Sequence, residues 1–180
     1  MKTHSHFFAR QCWRTFLLIL LALPAAGQNR LADAAPLQPP RIVTAAEISR
    51  LEMEVFDEIN SQRSIYGLNP LVWNEQAARV ARLHSTSMAD FDFFSHAGLD
   101  GRHVDNRADR IGLRNWRVIG ENIAYNSGYS DPAERAVIGW MNSDGHRRNI
   151  LRDNWSETGI GIAVSTAGKF YFTQVFLQRK

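Results

Sequence analysis

The sequence predicts an α+β layered domain, and three observations predict it. Capped segments with one apolar face, the pattern of surface helices, fill the chain from Thr44 to about Ala89. A further capped helix starts at Asp131. Two alternating segments close the chain, Thr158–Val164 and Phe170–Phe176, the pattern of a hairpin resting one face on a core. Helices early and a hairpin late make layers of helix on sheet.

Each element has a local cause. Thr44-Ala45-Ala46-Glu47 is a capping box, a threonine at the N-cap with a glutamate three residues on. The helix it opens carries Ile48, Leu51, Val55 and Ile59 on one face and stops near Tyr66-Gly67, where glycine takes the left-handed conformation. Leu68 to Trp73 is an extended connector, because Pro70 disfavours helix before it. Asn74 caps a second helix through about Ala89, with Ala77, Val80, Ala81, His84 and Met88 on one side. Asp90–Arg102 reads as a loop, and a short helix from Val104 to Ile111 ends at Gly112. Val118–Ala124 is extended. Asp131-Pro132-Ala133-Glu134 starts a helix that carries Val137, Ile138 and Trp140 and ends before Gly145. The closing hairpin turns around Ala167-Gly168.

The first residues are of another kind. Lys2, Arg10 and Arg14 precede the apolar run Phe16–Leu23, then Pro24 and the small residues Ala25, Ala26 and Gly27. This is the pattern of a signal peptide over residues 1–27, with a linker over 28–46 and a globular domain over 47–180. Ala32-Asp33-Ala34 offers a second cleavage zone, and an uncleaved anchor shares the same two leading regions. The run is shorter than the roughly 20 residues that cross a bilayer. The expectation is a secreted or periplasmic protein with no transmembrane span once mature. Removal of the segment takes the lone cysteine, Cys12, and all of the net charge of +3, leaving 18 basic and 18 acidic residues. A balanced chain gives no footprint for nucleic acid.

Four histidines lie beyond that segment: His84, His96, His103 and His146. No two stand four apart as in a helical zinc motif. His96 follows two phenylalanines in a loop, and His146 follows Ser143-Asp144-Gly145 just past a helix end; loops on a rigid scaffold are where sites are built. Glu121 lies in an apolar stretch, and a buried carboxylate needs partners, which histidines would supply. His84 reads as a structural histidine, His103 as solvated, Trp140 as core, and Asn122, Asn142 and Asn149 as ties between loops.

Four motifs occur in one order: Phe93-Phe94-Ser95-His96, Gly120-Glu121-Asn122-Ile123-Ala124, the run from Trp140 through Ser143, Gly145 and His146 to Leu151, and Thr158-Gly159-Ile160-Gly161. Together, over about residues 51–176, they resemble the CAP superfamily, or SCP domain, in its disulfide-free bacterial secreted branch. That family groups cysteine-rich secretory proteins, insect venom antigens and plant pathogenesis-related proteins. The resemblance implies a three-layer α-β-α sandwich with a surface cleft. It places His96, Glu121, Ser143 and His146 in the cleft and makes His96 and His146 ligands of one divalent metal such as zinc. Ser143 stands where the family usually has a second glutamate, so one carboxylate is missing. Three functions follow as expectations: a secreted binding module for a metal with a lipid or peptide, a metal-assisted hydrolase with Glu121 as general base, or an interaction domain at the cell envelope that engages another envelope protein.

Overall fold

The computed structural model describes residues 43–180. The expected signal segment, Cys12 and all but the last residues of the expected linker lie outside the described residues. Thr44 caps α1 (Ala45–Ile65), its hydroxyl accepting from the Glu47 amide. The helix ends in a Schellman turn. Gly67, at φ +70°, donates to the Ser64 carbonyl, and Leu68 donates to the Arg63 carbonyl. The connector contains a two-residue strand, β1 (Val72–Trp73), that the sequence does not announce. Asn60 holds it from α1, bonding both the amide and the carbonyl of Leu71. Asn74 caps α2 (Glu75–Phe91), which ends two residues later than expected, at Asp92 in the left-handed region.

After the short α3 (Val104–Arg110) come the long strand β2 (Trp116–Asn126) and α4 (Pro132–Met141), capped by Asp131. Where the sequence suggests a loop around His146, there is a further helix, α5 (Asp144–Ile150), with Ser143 at its N-cap and His146 in its first turn. The hairpin forms as expected from β3 (Glu157–Val164) and β4 (Phe170–Arg179).

The sheet order is β1-β3-β4-β2. The β1–β3 pair is parallel and the others antiparallel, so β2 is an edge strand. Alternation along the strands separates two cores. Ile160, Ile162, Phe172 and Phe176 join Leu51, Val55 and Ile59 of α1 and Val137 and Trp140 of α4. On the other face Val175 and Leu177 pack with Ala77, Val80 and Ala81 of α2 and Ala108 of α3. The fold is thus α+β, with helices covering both faces of the sheet. No helix among the described residues is long and apolar enough to cross a membrane.

Contact between α2 and the sheet rests on two glycines of β3. A Cβ on Gly159 would lie 2.0 Å from the Ala78 amide nitrogen, and one on Gly161 would lie 2.0 Å from that of Arg82. The helix backbone itself sits on the strand, so no side-chain rotation relieves the clash. Ser85 Oγ donates to the Gly161 carbonyl from the same close approach. Across the layers, Glu52 of α1 is fully buried. Its carboxylate accepts from Arg82 and from the Ile162 amide, tying α1, α2 and β3 together. Gly161→Ala is expected to cost about 3 kcal/mol or more, because the strained pair cannot repack. Urea denaturation of the variant beside Gly139→Ala, whose Cβ meets nothing within 4 Å, measures the difference.

Candidate functional site

The site forms where the two helical layers meet the free edge of the sheet. Glu121 stands on β2, opposite Val175 of β4, with its side chain only 4% exposed. Each carboxylate oxygen is engaged. Oε1 accepts from His96 Nδ1 at 2.8 Å, and Oε2 accepts from Arg107 Nη2 at 2.5 Å. Arg107, on α3 and 11% exposed, also donates through Nη1 to the carbonyls of His96 and Arg102. One guanidinium therefore neutralises the carboxylate and holds the backbone of the loop that carries His96. A carboxylate only accepts, so the shared proton lies on His96 Nδ1, and Nε2 takes no part in the contact.

His146 reaches the same edge from the opposite layer. Its Nδ1 lies 3.0 Å from Ser143 Oγ, one helical turn back. Asn122 Nδ2 donates to the His146 carbonyl, while Asn149 Nδ2 donates to Asn122 Oδ1 and to the Glu121 carbonyl. These two asparagines stitch α5 to the outer side of β2. Burial, and then the charge on nearby His96, push the His146 imidazole below its ordinary value, which keeps it neutral near pH 7. Among the described residues neither His96 Nε2 nor His146 Nε2 has a hydrogen-bond partner.

The four residues singled out from the sequence thus fall into two contacting pairs, His96 with Glu121 and Ser143 with His146, registered through Asn122 and Asn149. Sequence reasoning missed Arg107. A buried carboxylate calls for a cation as well as an imidazole, yet Arg107 and Arg110 look alike on α3. Only the tertiary structure separates them, at 11% and 63% exposure. His84 is buried on α2, and its Nε2 lies 2.9 Å from the Ser95 carbonyl, so it braces the His96 loop. His103 is an exposed N-cap of α3. Beyond Arg107 a hollow of about 420 Å³ opens between α2 and α3, walled by Leu83, Leu99, Ile111 and Arg110.

The donor set suits a cation at two imidazole nitrogens. No cluster of three or more His, Cys, Asp or Glu suited to a metal occurs among the described residues. His96 and His146 would hold such an ion through Nε2, each fixed by its Nδ1 partner, and the remaining positions would go to solvent or ligand.

Comparison with known proteins gives the family. The profile of the cysteine-rich secretory protein family, CAP, matches residues 56–176. The chain belongs to the CAP family. This CAP chain is 36% identical over 129 residues to the membrane protein YlbC of Bacillus subtilis, covering 71% of the chain and 34% of that protein. It is 33% identical over 156 residues to YkwD of the same organism, covering 85% of the chain and 58% of that protein. The CAP chain therefore spans about a third and just over half of the lengths of these two relatives. Among solved structures it is similar to an extracellular SCP-domain protein of Bacillus anthracis, with TM-score 0.67 and 29% identity over 77% of this chain and 45% of that one. An outer surface protein of Borrelia burgdorferi shares the fold at TM-score 0.65 and 20% identity, over 73% and 94% of the two chains.

Two outcomes follow from the site's electrostatics. Arg107→Met leaves the Glu121 carboxylate buried without its cation, and is expected to cost about 3–5 kcal/mol. The double variant Arg107→Met/Glu121→Gln removes both charges and should recover much of that loss, which urea denaturation of the pair of variants measures. The second outcome concerns pH. Burial pushes the His84 imidazole below its ordinary 6.5, and His146 shifts the same way. The unfolded chain then takes up protons that the folded chain resists. Stability present above about pH 6.5 is lost as pH falls from there towards the lower folded values. Urea midpoints should fall between about pH 7.5 and about pH 5.5, and fall less steeply in His84→Gln.

Proposed function

We infer that this CAP domain is an exported binding module in which His96 and His146 hold a divalent metal such as zinc at the β2 edge and present it to a peptide or lipid ligand. The observation that carries this reading is the paired tethering of the rings. Each Nδ1 is occupied by a positioning group, Glu121 or Ser143, and each Nε2 is free. Metal-binding histidines in general are oriented this way, through the nitrogen that does not bind. The extracellular and outer-surface character of the structural neighbours supports export, as does the leading apolar segment.

The hydrolase reading is the weaker one, because taking up a proton as a base would dissolve the buried pairing of Glu121 with Arg107 and His96. Both of its oxygens already accept, and freeing one breaks a buried ion pair or releases His96. Ser143 Oγ does lie beside an imidazole, but no carboxylate orients His146 from its other nitrogen among the described residues. Glu121 and Ser143 are then positioning residues, and the bound metal would supply Lewis acidity to whatever ligand completes its shell.

Titration calorimetry tests the reading. The purified protein should take up one zinc ion per chain, and His96→Ala/His146→Ala should take up none. Equal uptake by the two proteins would overturn it. Peptide or ester turnover lost in Glu121→Gln, with the fold intact, would instead favour the hydrolase.

A further inference from the structure

A second group of side chains lies on the same strand as Glu121, outside the histidine site. Tyr125 follows Glu121 by four residues on β2, so alternation turns both to the same face. The residue is 52% exposed. Phe94, two residues before His96 and 46% exposed, meets it edge to face, with ring centroids 4.8 Å apart. Two large aromatic rings thus stand together in water at the end of the cleft, where burial would stabilise each of them.

The rim of this platform is polar and charge-balanced. Lys169, in the turn before β4, lies 5.3 Å from the Tyr125 ring centroid and 5.4 Å from that of Tyr171. Its ammonium donates to Asp92 Oδ1 at 3.0 Å, and the Tyr171 hydroxyl donates to the same oxygen at 2.9 Å. Asp92 holds this place with a left-handed backbone, φ 45°, at the end of α2. Its Oδ2 has no partner among the described residues, and the Lys169 ammonium has protons to spare. The platform therefore offers exposed aromatic surface in an angled, edge-to-face corner, one free acceptor and free donors, and the charges of Asp92 and Lys169 at its rim balance.

We propose that Phe94 and Tyr125, rimmed by Asp92 and Lys169, form a binding platform for an uncharged glycan of pyranose units. A pyranose shows C–H groups on its flat face and hydroxyls around its edge. The face of one unit stacks on one ring and abuts the other in the corner they form, while the edge reaches the free carboxylate oxygen and the ammonium. An apolar peptide side chain fits less well, because the rings stand on open surface and line none of the hollows at α2–α3 or α1–α4. Such a side chain would stay half in water and leave the polar rim unused. A charged ligand gains nothing from a rim whose two charges already cancel. The platform needs no metal and stands apart from the reading of the histidine pair.

Chitohexaose and cellohexaose serve as probes, titrated by calorimetry into the purified protein with chelator present. Saturable binding of either is expected. Phe94→Ala and Tyr125→Ala should each weaken it about tenfold, and Tyr125→Phe should keep it. Both positions are about half exposed, so these variants should keep the wild-type melting temperature. Phe91→Ala removes an exposed phenylalanine that has no ring partner among the described residues, and should bind as the wild type does. His96→Ala/His146→Ala should also bind unchanged. The proposal is overturned by a wild type that binds neither glycan, by Tyr125→Ala binding as tightly as wild type, or by a Phe91→Ala loss as large as that of Tyr125→Ala.

Discussion

The histidine site depends on one buried carboxylate. Glu121 lies almost wholly out of water on an edge strand, where an unpaired charge is untenable. Arg107 on one oxygen and His96 on the other make it tolerable. The same guanidinium grips the His96 carbonyl, so neutralising the carboxylate and placing the loop are a single event. The ring of His96 is half exposed, yet its tautomer and direction are set from the buried side. A surface imidazole is pre-organised here by an interior ion pair.

The edge position of β2 explains how two layers share one site. An edge strand has backbone groups with no neighbouring strand to pair them. On β2 the missing neighbour is replaced in part by side chains: Asn149 donates to the Glu121 carbonyl and to Asn122, and Asn122 donates to the His146 carbonyl. Trp155 then fixes Asn149 by donating to its carbonyl. The strand that carries Glu121 and the helix that carries His146 are therefore locked in one register. On the opposite side Gly159 and Gly161 let α2 lie against β3, and α2 leads directly into the His96 loop.

What the sequence reveals follows the range of the interaction. The helices capped by Thr44, Asn74 and Asp131 are legible because each cap is a contact between residues three apart. The hairpin is legible because alternation is local. The two-residue β1 is not, since its partner Glu157 lies far along the chain. Nor is α5: Ser143-Asp144-Gly145 reads as a turn, and its seven residues owe their helix to packing of Ile150 in the core and to the asparagine ties. At the site, the need of Glu121 for partners was readable from its apolar surroundings, and the grouping of His96 with His146 came from the motif order. Arg107 had no local signature, because burial alone distinguishes it from Arg110, the other arginine of α3.

Ser143 changes the electrostatics of the cleft more than its composition suggests. A carboxylate at that position would give His146 an anionic partner, matching Glu121 behind His96. With a hydroxyl there, the one anion of the site is Glu121, and Arg107 already cancels it. The bare cleft is then close to neutral, with one imidazole held by an ion pair and the other by a neutral group and a depressed pKa. A divalent cation bound by two imidazoles would keep its full charge and its open positions. Under the proposed reading, the missing anionic donor must come from the ligand. A metal held in this way would bind weakly alone and more tightly beneath a carboxylate or phosphate, so the serine would leave the proposed site to be completed by its ligand.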